Sequence, residues 1–414
     1  MEKLAIDGGK KTLDDSTRHF EWPIITEETI QAVNSQLKET ISIYNRSGII
    51  ERVEKQMEAY FNVKHALLVS SGTLALHTLF FASKLEPGDE VIVPAYTFFA
   101  TVSPLFFEDI VPILVDCTLD GNINPDKIEE KITEKTKAII VTHMWGRPCD
   151  MKKICAIAKK HNLLLFEDNS HAFGSSINGK KTGTFGDGAA MSLQGGKTIT
   201  GGEGGLLITN DDEIYYKALL LGHYNKRCKQ EIPNNHPLYK YALTGYGLKY
   251  RSHPLSCAII EQQMSHLQDF LDGREKVANY IISEINQLKG LYVVPLPENE
   301  KSSWYSLIIN YDQNLMNGVK IETFFKGLKA EGCIEADIPT STCSLSLIPL
   351  FQDSTALFPN LSKKMSYKIG DFPIAEYMSK NCIKLPVWYQ ESEMRYAELY
   401  VKAFKKVYHH FIQS

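Results

Sequence analysis

The chain contains the stretch Ser192-Leu-Gln-Gly-Gly-Lys-Thr-Ile-Thr-Gly-Gly-Glu-Gly-Gly205, in which a single lysine, Lys197, stands among six glycines. Glycine accepts positive φ and lets another molecule approach the backbone closely, but it weakens helices and strands. The stretch therefore predicts a loop that is shaped around a bound molecule. Its residues Gly196-Lys197-Thr198 match the end of a phosphate-binding Walker A motif, yet that motif also needs a glycine where this chain has Met191. The spacing therefore excludes a Walker A site, and the lysine must have a role other than binding a nucleoside triphosphate.

The sequence before and after this loop alternates between short apolar runs and helical patterns. Strands are predicted at residues 66–69, 90–93, 112–115, 137–141, 163–166 and 189–193. Helices are predicted at residues 50–61, 74–84, 125–133 and 150–162. Strands that are separated by helices indicate a mostly parallel sheet with helices on both faces.

The alternation loosens past about residue 250. Helices are predicted there at 255–270, 320–330 and 392–411, and a strand at 303–310. We therefore predict an α/β protein with two domains. An N-terminal arm and a large ligand-binding domain occupy residues 1–250, and a smaller α+β domain occupies residues 251–414.

Polar side chains follow three of the predicted strands, at the sheet edge where parallel sheets bind ligands. Ser70-Ser-Gly-Thr73 joins a predicted strand to a predicted helix. The free N–H groups and the dipole at the start of that helix favour an anion such as phosphate. Taken alone, however, these residues are more typical of an ordinary helix cap. Asp168 follows an apolar strand, so its carboxylate is either a cap or the partner of a buried cation. The third strand delivers Ser192 and, five residues later, Lys197.

Together these groups fit one cofactor. A phosphate cradle, a carboxylate that can hold a protonated ring nitrogen and an amine that can form a Schiff base are what pyridoxal phosphate requires. An aromatic ring to stack on the cofactor is available in Ala95-Tyr-Thr-Phe-Phe-Ala-Thr101, although core packing should account for at least one of its two phenylalanines. The sequence therefore predicts a pyridoxal phosphate site, and its histidines and cysteines form no pattern typical of a metal site.

The same motifs, taken in order, resemble those of the DegT/DnrJ/EryC1/StrS family of sugar aminotransferases, which have the fold-type I architecture of aspartate aminotransferase. The resemblance is clear over about residues 20–270 and looser beyond them. It rests on Ser70-Ser-Gly-Thr73, Pro94-Ala-Tyr-Thr-Phe-Phe-Ala-Thr101, Glu167-Asp-Asn-Ser-His-Ala172, the pair Ser192 and Lys197, and Gly202-Glu-Gly-Gly205.

The resemblance implies a role for each matching residue. Lys197 would form the Schiff base with the cofactor, Asp168 would pair with its pyridine nitrogen, and His171 would lie near its phenolic oxygen. A second group would hold the phosphate and stack on the ring, and it consists of Gly72, Thr73, Ser192 and Phe98.

Lys249 stands where the family more often has an asparagine that reaches the phosphate from the neighbouring subunit. A lysine could serve the same phosphate as a point charge, contact the substrate through its longer side chain, or be an ordinary surface residue. If it serves the partner's cofactor, the active site spans two chains and the protein is at least a homodimer.

The resemblance further implies ping-pong transamination. An amino-acid donor, L-glutamate or L-glutamine, would leave its amino group on the cofactor while Lys197 moves the proton from the donor's α carbon. A second half-reaction would aminate a nucleotide-linked keto sugar or a keto cyclitol. Gln194 and the segment Glu21-Trp-Pro23 are similar to the cyclitol and aminobenzoate-forming branches, so both acceptors stay open. The basic stretch Gly222-His-Tyr-Asn-Lys-Arg227 could meet an acidic substrate group, but we favour basic residues that complement a helix C-terminus.

Three alternative functions fit the sequence less well. Family members that act as sugar dehydratases carry histidine in place of the lysine, so Lys197 favours an aminotransferase. A non-catalytic pyridoxal phosphate sensor is disfavoured because the motifs are intact and no DNA-binding module is attached. A dinucleotide oxidoreductase needs Gly-x-Gly-x-x-Gly after an early strand, where the chain has Ser70-Ser-Gly-Thr-Leu-Ala75.

Composition sets the remaining expectations. The 414 residues carry a net charge of -4 and 23% charged side chains, which gives no case for nucleic acid or membranes as partners. The eight cysteines contain no Cys-x-x-Cys pair and favour reduced thiols over disulfides. No signal peptide or membrane-length apolar run stands out, so we expect a cytoplasmic enzyme.

Overall fold

The computed structural model describes residues 2–14 and 17–412. The α-helices are α1 (Glu27–Glu39), α2 (Gly48–Phe61), α3 (Gly72–Ala82), α4 (Met151–Lys160), α5 (Asp212–Gly222), α6 (Lys226–Glu231), α7 (Pro254–Ser265), α8 (Leu267–Ile285), α9 (Ile321–Ala330), α10 (Pro349–Gln352), α11 (Pro373–Lys380) and α12 (Met394–Ile412). The strands are β1 (His65–Val69), β2 (Glu90–Pro94), β3 (Tyr96–Phe98), β4 (Val111–Val115), β5 (Thr136–Thr142), β6 (Leu164–Asp168), β7 (Ser176–Ile177), β8 (Lys180–Lys181), β9 (Gly188–Ser192), β10 (Gly205–Thr209), β11 (Leu291–Tyr292), β12 (Glu300–Lys301), β13 (Leu307–Tyr311), β14 (Thr342–Ser344) and β15 (Cys382–Leu385).

A seven-stranded sheet forms the centre of the molecule, in the order β1–β10–β9–β6–β5–β2–β4. Neighbouring strands from β9 to β4 run parallel, whereas β10 runs antiparallel to both β9 and β1. The predicted mostly parallel sheet is therefore confirmed. Each strand predicted before residue 200 lies within two residues of its expected bounds, because strands that are buried on both faces are nearly continuous apolar runs.

Helices cover both faces of this sheet. Successive side chains of a strand point to opposite faces. In β1, Leu67 and Val69 belong to the core that contains α3, whereas Ala66 and Leu68 belong to the core that contains α2 and α7. The two faces are therefore closed by different helices, which leaves the strand ends as the place where such a sheet binds a ligand.

Two helix predictions are wrong in detail. Residues 125–133 form two short 3-10 turns, Pro125–Lys127 and Glu129–Lys131, instead of one helix. The segment has only Ile128 and Ile132 to pack against the sheet, too few apolar contacts to hold a longer helix. The helix predicted at 255–270 is broken at His266, where α7 ends and the longer α8 begins.

The C-terminal part of the chain contains a smaller antiparallel sheet, in the order β11–β13–β15. Its core includes side chains from α8, α9 and α12, and also Leu4 and Leu13 from the N-terminal arm. The boundary between residues 250 and 251 stays a prediction. Across it, Phe351 and Met365 join the core beneath the large sheet, and the Tyr367 hydroxyl donates a 3.1 Å hydrogen bond to the carbonyl of Pro112. None of the described helices is long and apolar enough to cross a membrane.

Candidate active site

A pocket of about 330 Å³ lies at the carboxyl ends of β5, β6 and β9 and at the start of α3. Its remaining walls come from the segment after β2, the loop after β9 and the C-terminal part of the chain. Seven of the eight residues that the sequence singles out line this pocket, namely Gly72, Thr73, Phe98, Asp168, His171, Ser192 and Lys197.

The start of α3 forms the predicted phosphate cradle. Ser71 is the N-cap, and its hydroxyl accepts a 3.2 Å hydrogen bond from the N–H of Leu74. The N–H groups of Gly72 and Thr73 precede the first intrahelical hydrogen bond, so they remain available to an anion. A Cβ on Gly72 would lie 2.6 Å from the Cβ of Ser192. Only glycine therefore lets the helix begin this close to the end of β9.

Asp168 is buried at the end of β6, where neutral groups hold its carboxylate. Its Oδ2 accepts a 2.7 Å hydrogen bond from the hydroxyl of Thr101, and its Oδ1 accepts a 3.0 Å hydrogen bond from the N–H of Ser170. The Thr101 hydroxyl is itself 2.9 Å from that of Thr97. Within residues 2–14 and 17–412, no lysine, arginine or histidine forms an ion pair with Asp168. The carboxylate therefore has capacity left for a cationic ligand atom.

His171 is buried and contacts two aromatic rings. Its imidazole stacks on Tyr305 at 4.2 Å and on Trp145 at 5.5 Å between ring centroids. Burial, followed by the nearby charges of Lys197 and Lys384, lowers the pKa of His171 well below its ordinary value. The ring is therefore neutral near pH 7. Its Nδ1 is buried and has no hydrogen-bond partner among the described residues.

Lys197 lines the pocket from the glycine-rich loop after β9. Burial lowers the pKa of its amine from 10.5 to about 8, and the charge of Asp168 opposes this shift. The Lys197 carbonyl accepts a 2.9 Å hydrogen bond from the indole N–H of Trp22, which fixes the loop from the N-terminal side. A lysine with this pKa is neutral often enough near physiological pH to act as a nucleophile.

These residues fit pyridoxal phosphate. The first turn of α3 offers free N–H groups to a phosphate, and Gly72 leaves the space that a side chain would fill. Asp168 has no cationic partner among the described residues, and His171 has a free buried nitrogen. The amine of Lys197 completes the set.

Phe98 lines the pocket but does not belong to the core. Phe98 and Phe99 are 37% and 40% exposed, and their ring centroids are 4.4 Å apart. The expectation that core packing accounts for at least one of them is therefore wrong. The chain leaves the large sheet after β2, and among the described strands β3 pairs with β14 of the C-terminal part alone. Both rings therefore lie at the surface of this chain.

Lys249 is the predicted site residue that the pocket does not contain. It lies in a second, basic pocket together with Tyr44, Lys226 and Arg251. Its ammonium group is 5.7 Å from the centroid of the Tyr224 ring. Arg227 lies at the end of the basic stretch, within α6, and forms a buried ion pair with Glu54 of α2.

Sequence reasoning missed several residues of the site. Thr101 is the last residue of the motif Pro94–Thr101, and its closeness to Phe98 in sequence could have suggested a place in the same pocket. Tyr305, Ser341 and Thr342 line the pocket from the C-terminal part of the chain. No local motif marks them, because the long-range pairing of β3 with β14 brings Thr342 to the pocket.

Comparison with known proteins identifies the family. The sequence pattern of the DegT/DnrJ/EryC1/StrS aminotransferase family matches residues 23–399. The chain belongs to this family. The resemblance predicted from the motifs is confirmed, and so is the enzyme class of pyridoxal phosphate-dependent aminotransferases.

Two relatives illustrate the family's range. GDP-perosamine synthase of Escherichia coli O157:H7 is 37% identical over 267 residues, which cover 64% of this chain and 71% of the relative. A protein of Micromonospora echinospora, provisionally assigned as an L-glutamine:3-amino-2,3-dideoxy-scyllo-inosose aminotransferase, is 28% identical over 390 residues, which cover 91% of this chain and 89% of the relative. Homologues of this chain therefore include sugar and cyclitol aminotransferases.

Solved structures confirm the fold-type I architecture. The aminotransferase of Psychrobacter cryohalolentis superposes with a TM-score of 0.84 at 24% identity, over 95% of this chain and 99% of that chain. The Escherichia coli GDP-4-keto-6-deoxy-D-mannose-3-dehydratase, which was solved with bound hydrated pyridoxal phosphate, superposes with a TM-score of 0.78 at 25% identity, over 93% of this chain and 99% of that chain. The predicted cofactor is therefore the cofactor of this fold and family.

Proposed function

We propose that this protein transfers an amino group from L-glutamate or L-glutamine to a nucleotide-linked keto sugar or to a keto cyclitol. The observation that carries the proposal is the amine of Lys197, which shares one pocket with Asp168 and has its pKa lowered to about 8 by burial. An amine of this kind can both react with an aldehyde and accept a proton from a donor carbon at neutral pH.

The roles proposed for the side chains follow from their places. Bound pyridoxal phosphate supplies an aldehyde that exchanges amines and a ring that accepts electrons. Asp168 would hold the protonated ring nitrogen, and Thr101, which donates to its carboxylate, would orient it. Lys197 moves the proton at the donor's α carbon. His171, with its neutral imidazole, would lie near the phenolic oxygen, Gly72, Thr73 and Ser192 would hold the phosphate, and Phe98 would stack on the ring.

Reduction with borohydride tests the role of Lys197. The protein is incubated with pyridoxal phosphate, reduced and digested, and its peptides are weighed. We expect the cofactor's mass on the peptide that contains Lys197 and on no other peptide. Modification of a different lysine would contradict the proposed role.

The acceptor is proposed at the level of chemical class. The names of the relatives support both a nucleotide-linked keto sugar and a keto cyclitol. The test follows amine formation by mass spectrometry with each donor against a GDP-linked 4-keto sugar, a dTDP-linked 3-keto sugar and a keto inositol. Turnover of one of these classes supports the proposal, and turnover of none of them with either donor contradicts it.

A sugar dehydratase is the second candidate, because a dehydratase is among the similar structures. Family dehydratases carry histidine where this chain has Lys197, so we propose aminotransfer as the main reaction. The two reactions differ in their products. Loss of water from the keto sugar without incorporation of donor nitrogen would favour the dehydratase.

We propose a homodimer with shared active sites. Lys249 lies in a basic pocket that contains none of the residues proposed to hold the cofactor of its own chain. This position suits a contact with the cofactor phosphate of a second chain. The chain also exposes large apolar side chains near this pocket and on α1, among them Ile30, Leu37, Tyr246 and Leu248. Such residues are typical of an interface. Sedimentation should give about twice the mass of one chain, and a monomer at micromolar concentration would contradict the proposal.

We also propose a cytoplasmic location. The cysteines of the described residues are all free, and most of them are buried. Free thiols suit a reducing compartment. Cell fractionation should recover the protein with cytoplasmic markers, and recovery outside the cytoplasm would contradict this location.

A further inference from the structure

The amine of Lys197 faces an aromatic ring from the C-terminal part of the chain. Its Nζ lies 4.7 Å from the centroid of the Tyr305 ring, on the ring's face. Within the described ranges, no carboxylate lies within ion-pair distance of this amine. The electron-rich face of Tyr305 is therefore within cation–π distance of the amine and can stabilise its positive charge, in addition to the more distant charge of Asp168.

The orientation of the Tyr305 ring is fixed by its neighbours. It stacks on His171 with an angle of 19° between the ring planes, and Trp145 lies parallel to it at 6.4 Å with an angle of 14°. A ring held in such a stack cannot turn its edge toward Lys197 without losing these contacts. Packing within the pocket therefore fixes the face of the Tyr305 ring toward the amine of Lys197.

We propose that Tyr305 is a further catalytic residue, whose ring face holds the ammonium form of Lys197 while the amine is not bonded to the cofactor. This inference rests on the proposed function. In that reaction the amine takes a proton from the donor's α carbon and becomes an ammonium ion, which must keep its proton until it passes it on. A cation–π contact stabilises that ion without an anion that would remove the proton.

The other charged groups near Lys197 do not fully compensate the cost of burying its ammonium form. Asp168 raises the pKa of the amine from the end of β6, but burial is the larger effect and lowers it to about 8. His171 is neutral, and Glu203 lines the pocket from an exposed position. The charge of Arg274 of α8 lowers the pKa of the Tyr305 phenol, against the larger effect of burial, which raises it. Burial disfavours the ammonium form of Lys197, and the contact with the Tyr305 ring face offsets part of this free-energy cost.

The test uses the chain without cofactor, so that it measures Lys197 directly. Tyr305 is replaced by phenylalanine and by phenylalanines with one, two and three ring fluorines, which keep the ring's size while weakening the charge on its face. The rate of carbamylation of Lys197 by cyanate is followed against pH by peptide mass spectrometry, and it gives the pKa of the amine. We expect this pKa to fall stepwise with fluorination, by about one unit in total.

An unchanged pKa across the series would overturn the inference. The borohydride experiment separates this failure from failure of the proposed function. If pyridoxal phosphate is captured on Lys197 in every variant but the pKa does not move, only the role of Tyr305 is wrong. If the cofactor is captured elsewhere, the proposed function is wrong as well.

Discussion

Thr101 acts on the proposed chemistry through one hydrogen bond, which its hydroxyl donates to the Oδ2 of Asp168 at 2.7 Å. Thr101→Val removes this donor while it keeps the shape of the side chain. We expect kcat/KM to fall about tenfold, because a lost hydrogen bond to a charged group costs somewhat more than 1 kcal/mol. Thr101→Ser restores the hydroxyl and should recover most of the loss. Equal kcat/KM values for the valine variant and the natural chain would show that Thr101 does not orient the carboxylate.

The lowered pKa of Lys197 predicts how cofactor capture depends on pH. Only the neutral amine attacks an aldehyde, so the rate of capture should rise through a pKa of about 8 and level off above it. Stopped-flow absorbance measures this rate between pH 6 and 10, within the range in which ordinary lysines stay protonated. A rate that still rises at pH 10, as expected for a pKa of 10.5, would mean that burial does not lower the pKa of this amine.

The same shift predicts a trend in stability. Between pH of about 8 and 10.5, the unfolded chain binds the lysine's proton and the folded chain does not. The free energy of unfolding of the cofactor-free chain should therefore rise with pH across this window, relative to Lys197→Met, which has no proton to bind. Parallel pH profiles for the two proteins would contradict the shift.

Trp22 connects the N-terminal segment with the catalytic loop. Its indole N–H donates to the carbonyl of Lys197 at 2.9 Å, and the guanidinium of Arg274 lies 4.4 Å from its ring centroid. Arg274 in turn donates to the hydroxyl of Thr198 at 3.2 Å. The loop that carries Lys197 is therefore held from two elements, the N-terminal segment and α8.

Trp22→Phe removes the N–H and keeps an aromatic ring. We expect the affinity for pyridoxal phosphate to fall several-fold, because the lost hydrogen bond is worth about 1 kcal/mol. Trp388→Phe is the matched control, because this indole donates to the carbonyl of His19, away from the pocket. Titration of the cofactor-free proteins should show weaker binding for Trp22→Phe only. Equal loss in both variants would point to a general effect on stability.

Helices α2 and α6 are joined by a buried ion pair. Arg227 donates to both carboxylate oxygens of Glu54, at 2.9 and 2.7 Å, and both side chains are almost fully buried. Glu54→Ala would leave the buried guanidinium with Glu231 as its remaining ion-pair partner, so the free energy of unfolding should fall by about 3 kcal/mol. The exposed pair of Lys153 and Asp126 is the control, because Asp126→Ala should cost less than about 1 kcal/mol. Urea denaturation measures both, and similar small losses would contradict the importance of burial.

The sequence predicted those elements whose signals are local. Six of the seven strands of the large sheet were predicted from short apolar runs, whereas β10 was not predicted. The residues just after β6 and β9 were identified because chemistry concentrates at strand ends. Residues 125–133 were misjudged because helical spacing alone does not supply enough apolar contacts. Tyr305 could not be predicted, because its place depends on how the C-terminal part packs on the large sheet. Lys249 could be connected with the site only through the family, since its own chain places it elsewhere.

At the scale of the whole molecule, the proposed dimer makes a prediction about mixed chains. Lys197→Ala and Lys249→Ala should each be inactive or nearly so, because each lacks one part of a shared site. When the two variants are unfolded together and refolded, half of the dimers should be mixed, and each mixed dimer should have one intact site. The mixture should recover about a quarter of the natural activity. No recovery, or full activity of Lys249→Ala alone, would contradict a shared site.

The visible absorbance spectrum tests the central claim most directly. The purified protein is saturated with pyridoxal phosphate, freed of excess cofactor, and recorded before and after addition of L-glutamate or L-glutamine. We predict a yellow protein whose band bleaches with one of the two donors, whereas Lys197→Ala shows no such band before the donor is added. A protein that stays colourless after incubation with the cofactor, or a Lys197→Ala variant with the same spectrum as the natural chain, would contradict the account.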